Sequence, residues 1–202
     1  MRTVQPGASL HDATVVLDDR LILSAVSVAV GPGLTLVRGP NGSGKTTLLR
    51  ALAGLVPLAR GDRRSSGEFL YIGHRPMLLR GLTARENLEF FARFRGGDTR
   101  AIDGALRAWG VGDEMDRPVE RLSAGERRRA ALARVDSERV PVLLLDEPFA
   151  DLDDAGSARV RHAITRASED GRTVVVATHA HAELDELARA RIAMDGGAAA
   201  AA

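Results

Sequence analysis

Residues 39–46 read GPNGSGKT and carry the chain's single lysine, Lys45, among 28 cationic residues. Gly39, Gly42 and Gly44 permit backbone angles that other residues resist, so the amides around Pro40, Asn41 and Ser43 can turn inward onto a polyphosphate. Lys45 is then placed to reach the β- and γ-phosphates of a nucleoside triphosphate as a compact point charge, and the Thr46 hydroxyl to ligate Mg²⁺. Thr47 takes a lesser place beside it. A flexible Gly/Ser loop is the bland alternative, and it gives no reason for the lysine to stand there. A second group lies a hundred residues on: Asp146 and Glu147 follow the apolar run 142–145. Asp146 is expected to hold Mg²⁺, directly or through water. Glu147, one residue on and facing the other way, is the candidate base for a water attacking the γ-phosphate.

These residues need elements to position them. Residues 34–37 read as a short buried strand and 45–53 as a helix stopped by Gly54, which gives the strand, loop and helix that a phosphate loop requires. Upstream, the β-branched runs 13–17 and 21–30 are predicted to form an antiparallel hairpin turning at Asp18, Asp19 and Arg20. Residues 60–67 are polar and read as loop, and 68–72 as a strand. From Leu82 to Arg134 the pattern is helical. Thr83 with Glu86, and Ser123 with Glu126, have the spacing of capping boxes. After Pro141 the expectation is strand 142–145, helix 154–168, strand 173–177, a helix from about 182 and a last strand at 191–194. Strands alternating with helices imply a mostly parallel sheet covered on both faces. The fold class expected is therefore α/β, with an N-terminal antiparallel β subdomain and a helical insert of about residues 73–134, all in one domain. The end, residues 196–202, reads as a frayed tail.

Composition narrows the function. A chain of 202 residues with 28 Lys+Arg against 27 Asp+Glu has a formal net charge of +1. No large positive field is offered to a phosphate backbone, and seven aromatic residues leave little for base stacking, so nucleic acid is not expected as a partner. The absence of cysteine removes disulfides, zinc-thiolate sites and thiol catalysis together, and suits a reducing compartment. No apolar run approaches the roughly 18 residues of a membrane span.

Residues 122–126, LSAGE, resemble the LSGGQ signature of the ABC (ATP-binding cassette) ATPases, and the order of the motifs agrees. That resemblance implies a P-loop NTPase fold of ABC type and Mg²⁺-dependent ATP hydrolysis. Two subunits would face head to tail, with Ser123, Ala124, Gly125 and Glu126 of one acting on the nucleotide held by the other. It also places Asp153 of the ADLD segment 150–153 in the D-loop, His179 as the switch histidine that contacts the γ-phosphate and orients Glu147, and His74 at the Q-loop position. Imidazole is a poorer Mg²⁺ ligand than the amide oxygen usual there. Leu17 falls where an aromatic ring usually stacks on adenine, which loosens nucleotide selection. Segments 73–96, 121–134 and 143–153 resemble the branch that supplies the ATP-binding subunit of haem exporters in cytochrome c maturation. The resemblance implies a peripheral protein on the cytoplasmic face of the membrane that drives separate transmembrane subunits through the surface around residues 74–82 and the helical insert. The rival reading is a soluble cassette ATPase acting on nucleic acid, ribosomes or cluster assembly. The run Arg127, Arg128 and Arg129 is most simply a solvated helix face.

Overall fold

The computed structural model of the protein describes residues 7–179 and 181–201. It divides into two compact units. The first consists of the described residues up to Tyr71, the segment Val140–Glu147 and the chain from Ile164 onwards. The second consists of Ile72–Arg139 and Pro148–Ala163.

The first unit holds two sheets. Strands β1 (Gly7–Leu17), β2 (Arg20–Val30) and β4 (Arg60–Ser66) form an antiparallel sheet in the order β2-β1-β4. The other sheet is built from β3 (Gly33–Arg38), β5 (Phe69–Ile72), β6 (Val142–Asp146), β7 (Thr173–Ala177), β8 (Ala188–Asp195) and β9 (Ala198–Ala201), in the order β5-β6-β7-β3-β8-β9. Strands β6, β7, β3 and β8 run parallel, and β9 returns antiparallel at the edge. Every residue of β6 and β7 is buried, as expected of parallel strands covered on both faces. Helix α1 (Lys45–Ala53) packs within the same core: Leu48, Leu49 and Leu52 meet Leu10, Val15 and Leu23 of the antiparallel sheet and Val37, Leu144 and Val175 of the parallel one. All of its residues but Thr46 and Arg50 are buried, so the helix is enclosed on most sides.

The second unit is helical: α2 (Ala84–Phe94), α3 (Ile102–Ala108), α4 (Ala124–Leu132), α5 (Arg134–Ser137) and the first part of α6 (Asp154–Glu169). Both expected capping boxes form. The Thr83 hydroxyl accepts from the Glu86 amide while Glu86 accepts from the Thr83 amide, and Ser123 and Glu126 do the same. Asn87, fully buried, accepts from the Leu79 amide and donates to the carbonyls of Leu79 and Thr83, which fixes the approach to α2. Glu138, also buried, receives Arg134 and Arg95.

Four expectations are corrected. The stretch read as loop at 60–67 is strand β4, whose side chains are exposed or half-exposed and which pairs antiparallel with β1, helped by the Ser66 hydroxyl at the Gly7 amide (3.0 Å) and by Arg60 at Asp12 (3.1 Å). The helix expected from 182 is only a single 3₁₀ turn, Ala182–Leu184. Within the stretch read as a frayed tail, residues 198–201 pair with β8 across Gly196 and Gly197, whose φ values of 50° and 85° are those of a tight hairpin turn. The arginine run is not a solvated face: Arg128 is completely buried.

Candidate functional site

The register of the parallel sheet delivers the first group of residues. Val37 of β3 and Asp146 of β6 both lie opposite Ala177 of β7, the strand between them. The chain leaves all three strands at one edge, the carboxyl edge, where open parallel sheets bind ligands. From β3 it enters the glycine-rich loop, from β6 it presents Asp146 and Glu147, and from β7 it presents Thr178 and His179.

In the loop, Lys45 Nζ donates to the carbonyls of Gly39 (2.7 Å) and Pro40 (2.9 Å), so the ammonium curls over the loop that it closes. A side chain on Gly39, at φ 153°, would come within 2.3 Å of the Met194 carbonyl oxygen. Glycine is therefore obligatory there. Pro40, Asn41 and Gly42 form the turn, Gly44 adopts a left-handed conformation at the N-terminus of α1, and no acidic residue lies in that helix's first turn. The first-turn amides and the helix dipole favour an anion at this end. The Ser43 hydroxyl is buried and has no hydrogen-bond partner among the described residues, an orphaned group of the kind a bound phosphate would satisfy. Thr47 is buried against the core.

The Thr46 hydroxyl donates to Asp146 Oδ2 at 2.8 Å. A hydroxyl and a carboxylate are hard oxygen donors of the kind Mg²⁺ takes, so the pair fits that ion. The residues behind them stand in no sequence motif. The Tyr71 hydroxyl lies 3.3 Å from Asp146 Oδ2 as donor, and accepts from Arg50 Nε at 3.3 Å. Burial pushes the Tyr71 phenol above its ordinary pKa, so it remains a neutral donor to the carboxylate. Arg50 and Thr46 are four apart on α1 and so share a face; that spacing is the signal that could have linked them.

Glu147 takes a left-handed φ of 45° while its amide donates to the Ala177 carbonyl. That conformation costs on the order of 1–3 kcal/mol for a residue with a side chain, and such strain gathers at functional sites. Glu147 Oε1 lies 2.9 Å from His179 Nδ1. The Glu147 side chain is mostly covered and that of His179 is largely exposed.

The second unit carries the remaining predicted residues. Ser123 is the N-cap of α4, followed by Ala124, Gly125 and Glu126. Glu126 is turned back onto its own cap, and the Ser123 amide that it accepts holds its carboxyl below the usual range, so the charge is spent on the helix start. The Ser123 oxygen accepts from the Glu126 amide and keeps its own proton to donate. A Cβ on Gly125 would sit 3.0 Å from the Asp151 carbonyl oxygen, so the signature glycine is packed closely on the segment that leads to Asp153. Asp153 Oδ1 accepts from the Gly156 amide and starts α6. The His74 side chain is exposed, and its carbonyl accepts from Arg128. Arg128 also donates to the carbonyls of Gly73 (2.6 Å) and Pro148 (3.3 Å), so one buried guanidinium ties α4 to residues 73–74 and 148. Three arginines in a row hid this, yet Arg128 stands three and four residues before the buried Ala131 and Leu132 and thus on their face.

Comparison with known proteins gives the family. Residues 23–150 match the family model described as "ABC transporter". The chain is 38% identical over 183 residues to the cytochrome c biogenesis ATP-binding export protein CcmA of Sphingopyxis alaskensis, covering 89% of this chain and 94% of that protein. It is 44% identical over 155 residues to the CcmA of Paracoccus denitrificans, covering 76% and 73%. Among solved structures, an ATP-binding subunit of an ABC transporter superposes with a TM-score of 0.88 at 20% identity, covering 97% of this chain and 89% of that one. The dimeric post-hydrolysis state of the cassette MJ0796 with ADP and Pi gives 0.85 at 23% identity, covering 95% of both. The chain belongs to the ABC transporter family and is an ATP-binding, ATP-hydrolysing cassette of P-loop α/β fold.

Proposed function

We propose that this cassette hydrolyses ATP to drive membrane subunits of an exporter serving cytochrome c biogenesis, with haem as the cargo class. The observation that carries the catalytic part is the convergence of Lys45, Thr46, Asp146, Glu147 and His179 at the ends of three adjacent parallel strands. The export role rests on the likeness to the CcmA proteins.

The chain's own residues divide the work. The backbone N–H groups of residues 41–46, with Lys45, bind the β- and γ-phosphates, and the Ser43 hydroxyl joins them. Thr46 and Asp146 would hold Mg²⁺, which neutralises charge on the phosphates when bound. Glu147 accepts the proton of the attacking water, and His179 holds that carboxylate in place and faces the γ-phosphate. Ser123 and the amide of Gly125, at the start of α4, serve the nucleotide of a second copy; Glu126, committed to its capping box, does not repel it. Each active site is then shared between two chains, and ATP joins them.

Among the described residues no helix is long and apolar enough to cross a membrane. The partner in the membrane is therefore proposed as a separate subunit, and the site of docking as the second unit, where Met77, Leu79, Phe90 and Phe94 are exposed. The location proposed with it is peripheral, on the cytoplasmic face of the membrane. The test is co-purification from membranes with its partners, followed by ATP hydrolysis by the complex. Recovery with transmembrane subunits, and hydrolysis lost in Glu147→Gln, is expected; recovery only in the soluble fraction with RNA would favour a non-transport ATPase.

A further inference from the structure

His179 must be held against Glu147, yet its side chain is 61% exposed and no helix or strand contains it. Something else fixes the segment. Arg38 ends β3 and directly precedes Gly39, where the preceding residues 34–37 are all buried. Its guanidinium reaches over the end of β7. Nη1 donates to the Thr178 carbonyl at 3.2 Å, and Nη2 donates to the His181 carbonyl at 3.0 Å and to Asp185 Oδ2 at 3.2 Å. The two carbonyls flank His179 on either side in sequence. Asp185 is itself held by Arg191 Nε at 3.4 Å. The Thr178 amide donates to the Val37 carbonyl at 3.3 Å, so backbone and side chain of adjacent β3 residues grip the same point.

The backbone adds a second observation. His181 has a left-handed φ of 67°, a conformation that persists only where the surroundings impose it. The Arg38 bond to its carbonyl is such an imposition. A planar fork with several fixed donors can hold two carbonyls and a carboxylate at once, which an ammonium cannot.

We propose that Arg38 is a positioning residue for the hydrolytic step, holding Thr178, His181 and Asp185 so that His179 stays on Glu147. It acts through His179. Because Gly39 follows it, and the Gly39 carbonyl receives Lys45, the phosphate loop and the histidine segment share one anchor. The proposal rests on the roles given above to Glu147 and His179.

The test uses the full chain, alone or with its membrane partners, and compares Arg38→Met, Arg38→Lys, His179→Ala and the double variant Arg38→Met/His179→Ala. Arg38→Met should lower kcat by roughly ten- to a hundredfold, the cost of a misplaced catalytic group, while the KM for MgATP stays within about twofold. Arg38→Lys, reaching a single carbonyl, should recover part of the loss. The double variant should be no slower than His179→Ala, a non-additivity that general loosening of the fold would not give. Wild-type kcat in Arg38→Met, a loss confined to KM, or fully additive losses in the double variant would each overturn the proposal. If His179→Ala itself hydrolyses ATP at the wild-type rate, the role of His179 and this proposal fall together. A slow His179→Ala beside a fast Arg38→Met sinks this proposal alone. Should Arg38→Met fold poorly, Asp185→Asn removes the ion pair and leaves the carbonyl contacts. A smaller drop in kcat, again non-additive with His179→Ala, is then expected, and an unchanged kcat contradicts the idea.

Discussion

Lys45 neutralises two carbonyl dipoles of its own loop in this structure, and a triphosphate would exchange those partners for charged oxygens. Lys45→Ala should therefore weaken binding of a fluorescent ATP analogue by at least tenfold, and retained affinity would remove the loop from the account. Glu147→Gln keeps the shape and the strained backbone but cannot take a proton. Its expected phenotype is unchanged ATP affinity with turnover slowed by roughly 10²–10⁴-fold, read by steady-state phosphate release. The identities of Lys45, Thr46, Asp146 and Glu147 were legible because each stands in a motif of fixed spacing beside a strand. Tyr71, Arg50 and Arg38 were not, since their contacts with Asp146 and with residues 178–185 are made across the sheet or between elements, and spacing along the chain does not encode them.

The elements divide in the same way. Helices α2 and α4 announced themselves through T-x-x-E and S-x-x-E, local chemistry that operates within one turn. Strands β4 and β9 did not, because RGDRRSS and a run of alanines have no apolar alternation; their ladders with β1 and β8 are a tertiary choice. For β9 the Gly196-Gly197 pair was the one available sign. Within α4, Arg128 satisfies three carbonyls from inside the protein, and removing it leaves them unpartnered by that side chain. Arg128→Ala should cost about 3 kcal/mol or more of stability, the scale of several unmet buried groups, measured by urea unfolding. The capping box of α4 gives a pH dependence of known sign. The Glu126 carboxyl is held below its ordinary range by the Ser123 amide, so the cap's contribution is complete above the unfolded carboxylate pKa and is lost as pH falls through the lowered folded one. Amide exchange at Ser123 should be protected unchanged from pH 7 to about 5 and rise only below the usual glutamate range near 4.3.

At the scale of the whole molecule, the proposed site needs two copies to complete each other. The helix α4 presents the Ser123 hydroxyl and, with the Glu126 amide taken by the capping box, the amides of Ala124 and Gly125 at its start, which is the end of a helix that favours an anion. Cassettes of the same fold have been solved as dimers. The most direct measurement is the mass in solution of the Glu147→Gln variant, by light scattering on a sizing column, with and without saturating MgATP. A dimer that appears only with MgATP, holds two nucleotides and is lost on adding Ser123→Arg is the predicted result. A Glu147→Gln chain that binds MgATP and remains monomeric at every protein concentration, with its membrane partners as well as without them, would contradict the shared site.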